Sequence, residues 1–305
     1  MTKSSSPVTS NDSARGFFYA LSAYALWGAL PLYLKMVSYI PSLEVVVNRV
    51  IWSLPVAVIL LALSGQLKEM IAILRQPKLV GMGLVTGFLV TSNWLIYVWA
   101  IEHGQTVASA LGYYINPLLN VLLASLFLNE RLSKAQWASI GFAAAAVVLL
   151  AISHGGLPWI SLALPLTFSL YGFFRKSMPI AALPGFTLEI MIVFLPAFIY
   201  FVMLVGKGQD HFVHGTWTDI GWLVLAGPFT AIPLILFAKG AKLLRYMTLG
   251  LMQYTAPTLM FLIAVFVFKE PFEIIDLGAF MLIWIGLVIY SWSSFTQYRA
   301  NKQAE

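Results

Sequence analysis

Three charged residues sit in stretches too apolar to need them. Glu44 and Arg49 lie in "EVVVNRVIW" (residues 44–52), and Glu189 lies in "GFTLEIMIVFLP" (185–196). A guanidinium in such a setting offers a permanent positive charge and five donors, which suits an anionic or polar group on a solute. A carboxylate there offers an acceptor, or a group that carries a proton. Two further stretches gather polar tips around a proline. "ALGYYINPLLN" (110–120) holds Tyr113, Tyr114 and Asn116 about Pro117, and "GLMQYTAPTLM" (250–260) holds Gln253 and Tyr254 before Pro257. Aromatic faces with hydrogen-bonding tips, beside amides that both donate and accept, fit an amphipathic solute. Asn93-Trp94 adds another such pair, and in Trp27-Gly28 the glycine allows a neighbour to approach closely.

This chemistry is recognition rather than bond-making. The chain contains no HExxH, no GxSxG, no acidic metal cluster and no Gly-rich phosphate loop. Cysteine is absent, which removes thiolate nucleophiles, thiolate metal sites and disulfides. His211 and His214 have the spacing of a metal pair but no third ligand in the sequence around them, and Glu102-His103 stands apart. No catalytic residue, cofactor or metal is therefore expected.

Helical geometry constrains what Arg49 can meet. It lies about 7–8 Å deeper along the axis than Glu44 and about 140° around from it. Asn48 and Trp52 share the face of Glu44, whereas Arg49 shares its face with Val45, Trp52 and Ser53. A central Arg costs roughly 2.5–3.5 kcal/mol on membrane insertion, so several Val or Leu residues are needed to offset it. Its partner must come from another helix or from a water-filled cavity. A structural ion pair, a snorkelled charge or interhelical glue is the alternative reading of these polar positions.

The elements that position these residues follow from composition. Of 305 residues 60% are hydrophobic and 10% charged, against roughly 25% charged in ordinary soluble domains. Apolar runs of about 20 residues recur along the whole chain, the pattern of an all-α integral membrane protein. Ten spans are expected: 17–37, 44–64, 79–100, 107–128, 135–153, 158–175, 185–205, 218–239, 247–268 and 274–294. Residues 1–14 read as a disordered tail without an apolar signal region, and 296–305 as a C-terminal tail. About fourteen of the 18 Lys and Arg residues fall in the tails and in the connections after even-numbered spans; only Lys35, Lys207 and Lys269 lie in the others. That bias places both termini in the cytoplasm and explains the net charge of +6 without any nucleic-acid partner.

Shifting the chain by 140 residues superposes Gly87 on Gly227, Tyr114 on Tyr254, Pro117 on Pro257 and Glu130 on Glu270. A slightly different offset pairs Pro55 with Pro196, and in that register Glu189 falls opposite Asn48. Five spans per half is an odd number, so the second repeat (158–295) enters the membrane inverted relative to the first (15–153). Inverted repeats recur in secondary transporters around a site near the midplane. Pro55, Pro117, Pro196 and Pro257 are read as kinks lining a central cavity, with ordinary bundle kinking as the alternative.

The segments "LGYYINPLLNVLLASLFLNERL" and "QYTAPTLMFLIAVFVFKEP", with the doubled five-helix unit, resemble the EamA branch of the drug/metabolite transporter superfamily. "LWG" (26–28), "NRVIWS" (48–53), "NWLIYVWA" (93–100) and "YGFFRK" (171–176) resemble its RarD-type permeases. The resemblance covers residues 15 to 295. It implies a bacterial inner-membrane permease that moves a small metabolite or drug-like solute, with a cavity between the halves; the positions carried over are Trp27, Arg49, Asn93, Tyr113, Asn116, Glu189 and Tyr254. The partners expected are a solute and the lipid bilayer. A non-transporting membrane subunit or an intramembrane transferase is the competing reading, and oligomeric state is not legible.

Overall fold

The structure is a computed structural model that describes residues 10–128, 132–153, 155–244 and 252–304. The described residues form helices and no strands. Helices α1 (Ser10–Met36), α2 (Ser42–Leu63), α3 (Leu67–Leu74), α4 (Pro77–Glu102), α5 (Thr106–Leu128) and α6 (Lys134–Ser153) make the first half. The second half comprises α7 (Trp159–Ser177), α8 (Ala182–Gly206), α9 (Trp217–Leu243), α10 (Thr255–Leu262) with a π-helical turn over Ile263–Val267, and α11 (Ile274–Ala304). Hydrocarbon leaves backbone groups no solvent partner, so a chain this apolar satisfies them within helices. Exposed Phe88, Leu195, Ile199 and Val288 mark the outer surface of the bundle, the side chains that lipid would cover.

Eight of these helices are long and apolar enough to cross a membrane. They coincide with eight of the ten expected spans. The sixth is represented by α7, which falls short because it closes on the charged Arg175-Lys176. The ninth is represented by the short apolar helix Thr255–Val267, and its expected start (247–251) lies outside the described residues. Pro257 accordingly stands in the first turn of α10 rather than inside a long helix. Met252 is helical, Gln253 and Tyr254 form a turn, and the helix resumes at Thr255, so the chain is interrupted just before Pro257. Pro55, Pro117 and Pro196 do lie within α2, α5 and α8. Helix α1 begins at Ser10, inside the stretch read as a disordered tail; Ser10, Asn11 and Asp12 are helix-starting residue types. Glu130, matched to Glu270 at the 140-residue offset, lies outside the described residues.

The helices pack in matched sets. Helix α1 packs on α9 as α7 packs on α4, and α1 meets α10 as α7 meets α5. Helix α2 lies on α9 as α8 lies on α4, while α2–α8, α5–α10 and α6–α11 pair directly. Exchanging the first five long helices for the last five helices leaves this set of pairs unchanged. Glycines permit the closest approaches. A Cβ at Gly227 would lie 2.4 Å from the Trp52 carbonyl oxygen on α2. Gly87, its match at the 140-residue offset, faces the Glu189 backbone on α8 at 3.4 Å. Gly28 similarly lets α1 press against Ala256 and Leu259 of α10.

Candidate functional site

Arg49 is 7% exposed, well inside the bundle. Its Nε donates to Thr230 Oγ1 on α9 at 2.8 Å, and its guanidinium lies 4.4 Å from the centroid of the Trp94 ring on α4. Tyr33, Tyr97 and Tyr113 are near enough for its charge to act on their phenols. No carboxylate lies within ion-pair distance of it among the described residues. Burying an unpaired ion costs several kcal/mol even after relaxation. A desolvated cation–π contact returns about 2 kcal/mol and one hydrogen bond to a charged group about 1.5–3. These contacts roughly balance the burial and leave little surplus, so Arg49 contributes no stability that an apolar side chain could not match.

The residues around it are largely aromatic. Tyr33 rests against Phe229 at 4.7 Å, and its hydroxyl donates to the Trp222 carbonyl at 2.8 Å. The Tyr97 and Tyr113 rings lie 5.7 Å apart, and the Tyr113 hydroxyl donates to Asn93 Oδ1 at 3.2 Å. Asn93 Nδ2 donates to the Leu164 carbonyl and to Thr167 Oγ1, both at 2.9 Å, so Asn93 ties α4 to α7 while it orients Tyr113. Tyr97 Oη, Asn48 Oδ1, Trp52 Nε1 and Ser53 Oγ are buried without a hydrogen-bond partner among the described residues. Buried polar atoms are rarely left unpaired, and three of these four lie on α2 within one turn of Arg49.

A polar cluster closes the chamber toward the end where α2 starts. Glu44 is 1% exposed; it accepts from the His211 backbone N–H at 2.6 Å, and His211 Nδ1 lies 2.8 Å from its other oxygen. Tyr39 hydrogen-bonds Asp219, and Ser42 hydrogen-bonds Glu102. The bond to the Asp219 carboxylate pushes the Tyr39 phenol up to about 12, so it stays protonated, and bonded, across physiological pH. Asp210 holds the α8–α9 connection in shape: it accepts from the N–H groups of Phe212 and Val213 at 3.0 and 2.5 Å and meets the His214 ring at 2.5 Å. That connection seats Phe212 against Trp52, with ring centroids 5.6 Å apart.

Other expected site residues lie elsewhere in the bundle. Tyr114 and Tyr254, which superpose at the 140-residue offset, stack on each other across α5 and α10 with centroids 6.2 Å apart. Thr258 donates to the Tyr254 carbonyl and bonds the Tyr114 hydroxyl at 2.5 Å. Gln253 occupies the turn before them. Asn116 faces Ser169 on α7 at 3.4 Å. Trp27 joins an aromatic group with Tyr24 and Phe237. Glu189 meets neither Arg49 nor Glu44. Tyr171 donates to its Oε2 at 3.2 Å, and Arg175 Nε stands 3.5 Å from its Oε1 without hydrogen-bond geometry. Arg175 also donates to the carbonyls of Ala181 and Ala182, which tethers α7 to the start of α8.

The structure thus brings together Glu44, Asn48, Arg49, Trp52, Asn93, Trp94 and Tyr113 near one end. The contacts of Trp27, Asn116, Glu189 and the Tyr114–Tyr254 pair described above are made with other residues. Sequence reasoning missed Thr230, Tyr33, Tyr97, His211 and Arg175. Thr230 had one weak signal, a hydroxyl between Pro228 and Pro233. His211 and Arg175 were visible but were read as loop charges. Two grooves of about 360 and 350 Å³, one along Ala135, Val288 and Trp292 and the other along Lys78, Gly81 and Phe174, include no expected site residue.

Residues 14–152 match the EamA-like transporter family. An uncharacterized transporter of Pseudomonas aeruginosa is 39% identical over 95% of this chain and 97% of its own length. The uncharacterized transporter YojE of Bacillus subtilis is 37% identical, covering 95% of this chain and 98% of its own. Protein RarD of Escherichia coli K12 is 34% identical over 97% of this chain and the whole of its own length. A crystal structure of a protein 20% identical in sequence superposes with a TM-score of 0.57, over 90% of this chain and 96% of that one, and shares the fold.

Proposed function

The chain belongs to the EamA-like transporter family, in its RarD-type branch, and from that premise we propose that it is a permease. It resides in the bacterial inner membrane with both termini in the cytoplasm, and it moves a small polar or amphipathic solute outward. It is no enzyme. Its ten helices cross as two inverted five-helix repeats, 15–153 and 158–295, and the solute passes between them. The observation that carries this reading is Arg49, a buried cation with no counter-ion among the described residues and four unpaired polar atoms on and near its helix. Such a group contributes little to stability and much to recognition.

The matched packing pairs support the inverted repeat. Two like halves in opposite orientations can exchange conformations, so one protein reaches an outward-open and an inward-open state. In this reading the Glu44–His211 and Tyr39–Asp219 contacts close the exterior gate over Arg49. Arg175–Glu189 latches the cytoplasmic end, the role that matches Arg49's neighbourhood in the other half. Remaining pathway positions are Trp27, Asn93, Tyr113, Asn116 and Tyr254.

The test has two stages. Metabolites in media from overexpressing and deleted cells are compared first, and the compounds that differ are then assayed for flux into proteoliposomes. Saturable flux that disappears in Arg49→Ala protein, with insertion unchanged, is the expected result. Flux at the wild-type rate in both Arg49→Ala and Arg49→Lys proteins would remove Arg49 from the pathway. A complete lack of solute flux would leave the non-transporting subunit as the better reading.

A further inference from the structure

We infer that the Arg49 chamber is a binding site for the carboxylate of an organic monoanion with a flat, apolar body, and that it discriminates against cations and zwitterions. The inference rests on the permease reading above and narrows its solute. Three observations carry it.

The first is charge. Among the described residues no carboxylate stands within ion-pair distance of Arg49: Glu44 is engaged by His211 and Glu189 by Tyr171 and Arg175. One negative charge on the solute neutralises the chamber. A second would be left buried without a partner, and a cation would meet Arg49 as a like charge.

The second is the supply of donors. Arg49 spends Nε on Thr230. Its terminal N–H groups have no protein acceptor among the described residues, and they form the planar fork that matches a carboxylate. Tyr97 is 4% exposed, its hydroxyl has no partner, and it lies near enough to feel the charge of Arg49. Its O–H supplies a further donor to the same anion. Among the described residues the carboxylate of this end, Glu44, is already engaged by His211, which leaves the ammonium group of an amino acid without a free anionic acceptor.

The third is shape. Trp94 presents its face to the guanidinium, Tyr33, Tyr97 and Tyr113 lie near enough to feel its charge, and Phe229 packs on Tyr33. Flat walls of this kind exclude water from a planar apolar body and stack on it.

The experiment is titration calorimetry on the purified full-length protein in detergent, with five probes of one size class or smaller. They are benzoate, benzamide, benzylammonium, phenylalanine and inorganic phosphate. Benzoate should bind saturably. Benzamide and phosphate should bind at least about tenfold more weakly, and benzylammonium and phenylalanine should bind weakest. Arg49→Gln should weaken benzoate about 30-fold or more, the loss expected on removing one side of a buried charge pair. Because that variant risks misfolding, Tyr97→Phe provides the second arm. It removes a hydroxyl with no partner in the protein, so thermal stability should hold or rise while benzoate affinity falls about tenfold. The inference is overturned if benzamide, benzylammonium or phenylalanine binds as tightly as benzoate. It is equally overturned if benzoate does not bind, or if neither substitution changes its affinity. Proteoliposome flux separates this inference from the permease reading. Solute flux that benzoate neither joins nor inhibits removes the carboxylate site and leaves the permease. Benzoate binding through Arg49 without any flux removes the permease and leaves the site.

Discussion

At the residue scale, the fate of each buried charge separates fastening from recognition. Glu44 and Glu189 are each held by groups from another part of the bundle, whereas Arg49 has one hydroxyl and one ring face. Asn93, a proposed pathway position, also fastens, because three bonds join it to other parts of the protein. Asn93→Ala should therefore cost about 1–3 kcal/mol of stability by stranding the Leu164 and Tyr113 partners, seen as earlier thermal unfolding in detergent. Arg49→Leu should leave the unfolding temperature near wild type, since an apolar replacement of a buried ion is often neutral or stabilising. An unfolding temperature as low as that of Asn93→Ala would assign Arg49 a structural role. Residue-scale reasoning from sequence placed Arg49 and Glu44 on different helical faces; in the structure the Glu44 side chain meets His211 in the α8–α9 connection while Arg49 meets Thr230 on α9. It could not find Thr230 or His211, because helical periodicity describes one helix and says nothing about which residue of another helix faces it.

At the scale of elements, close helix contacts depend on a few glycines and one anchored connection. Gly227→Ala places a methyl 2.4 Å from the Trp52 carbonyl, which forces α9 away from α2. Overpacking of this kind costs about 1–3 kcal/mol. Gly81→Ala has nothing within 4 Å and should be neutral or stabilising. Comparing the two by thermal unfolding tests whether the α2–α9 contact sets stability. In the α8–α9 connection, burial pushes the Asp210 carboxyl up, but the bonds from Val213 and His214 outweigh it and hold the group below the ordinary range. A carboxylate lowered on folding stabilises above its unfolded pKa, and that contribution is lost as pH falls through the lowered value. Amide exchange over 209–216 should thus be slow at pH 5 to 7 and accelerate only below about pH 4. Asp210→Asn should exchange faster throughout that range. The sequence located these elements well where apolar runs were long. It placed α7 within two residues, and it did not show the turn at Gln253-Tyr254 that interrupts the helix before Pro257. The hydropathy of a segment does not reveal where a helix breaks inside it.

At the scale of the whole molecule, the 140-residue offset was the most informative sequence feature. It pairs Gly87 with Gly227, which serve equivalent contacts, and Tyr114 with Tyr254, which stack on each other. Those pairs are rare residue types at one spacing, so they survived a composition in which Leu and Ala matches carry no information. The Glu44–His211 and Arg175–Glu189 contacts, the two closures proposed above, were not legible, because each joins a span to a residue in or beside a connection. The proposed mechanism requires these two closures to be coupled, and the absence of native cysteine makes the coupling measurable. Single Trp52→Cys and Asn116→Cys proteins in oriented vesicles are labelled from each face with a membrane-impermeant thiol reagent, with and without Glu44→Gln. Loosening the Glu44–His211 closure should raise labelling from the exterior face and lower it from the cytoplasmic face in the same protein. Labelling that rises from both faces together, or that leaves the cytoplasmic face unchanged, would contradict alternating access around Arg49.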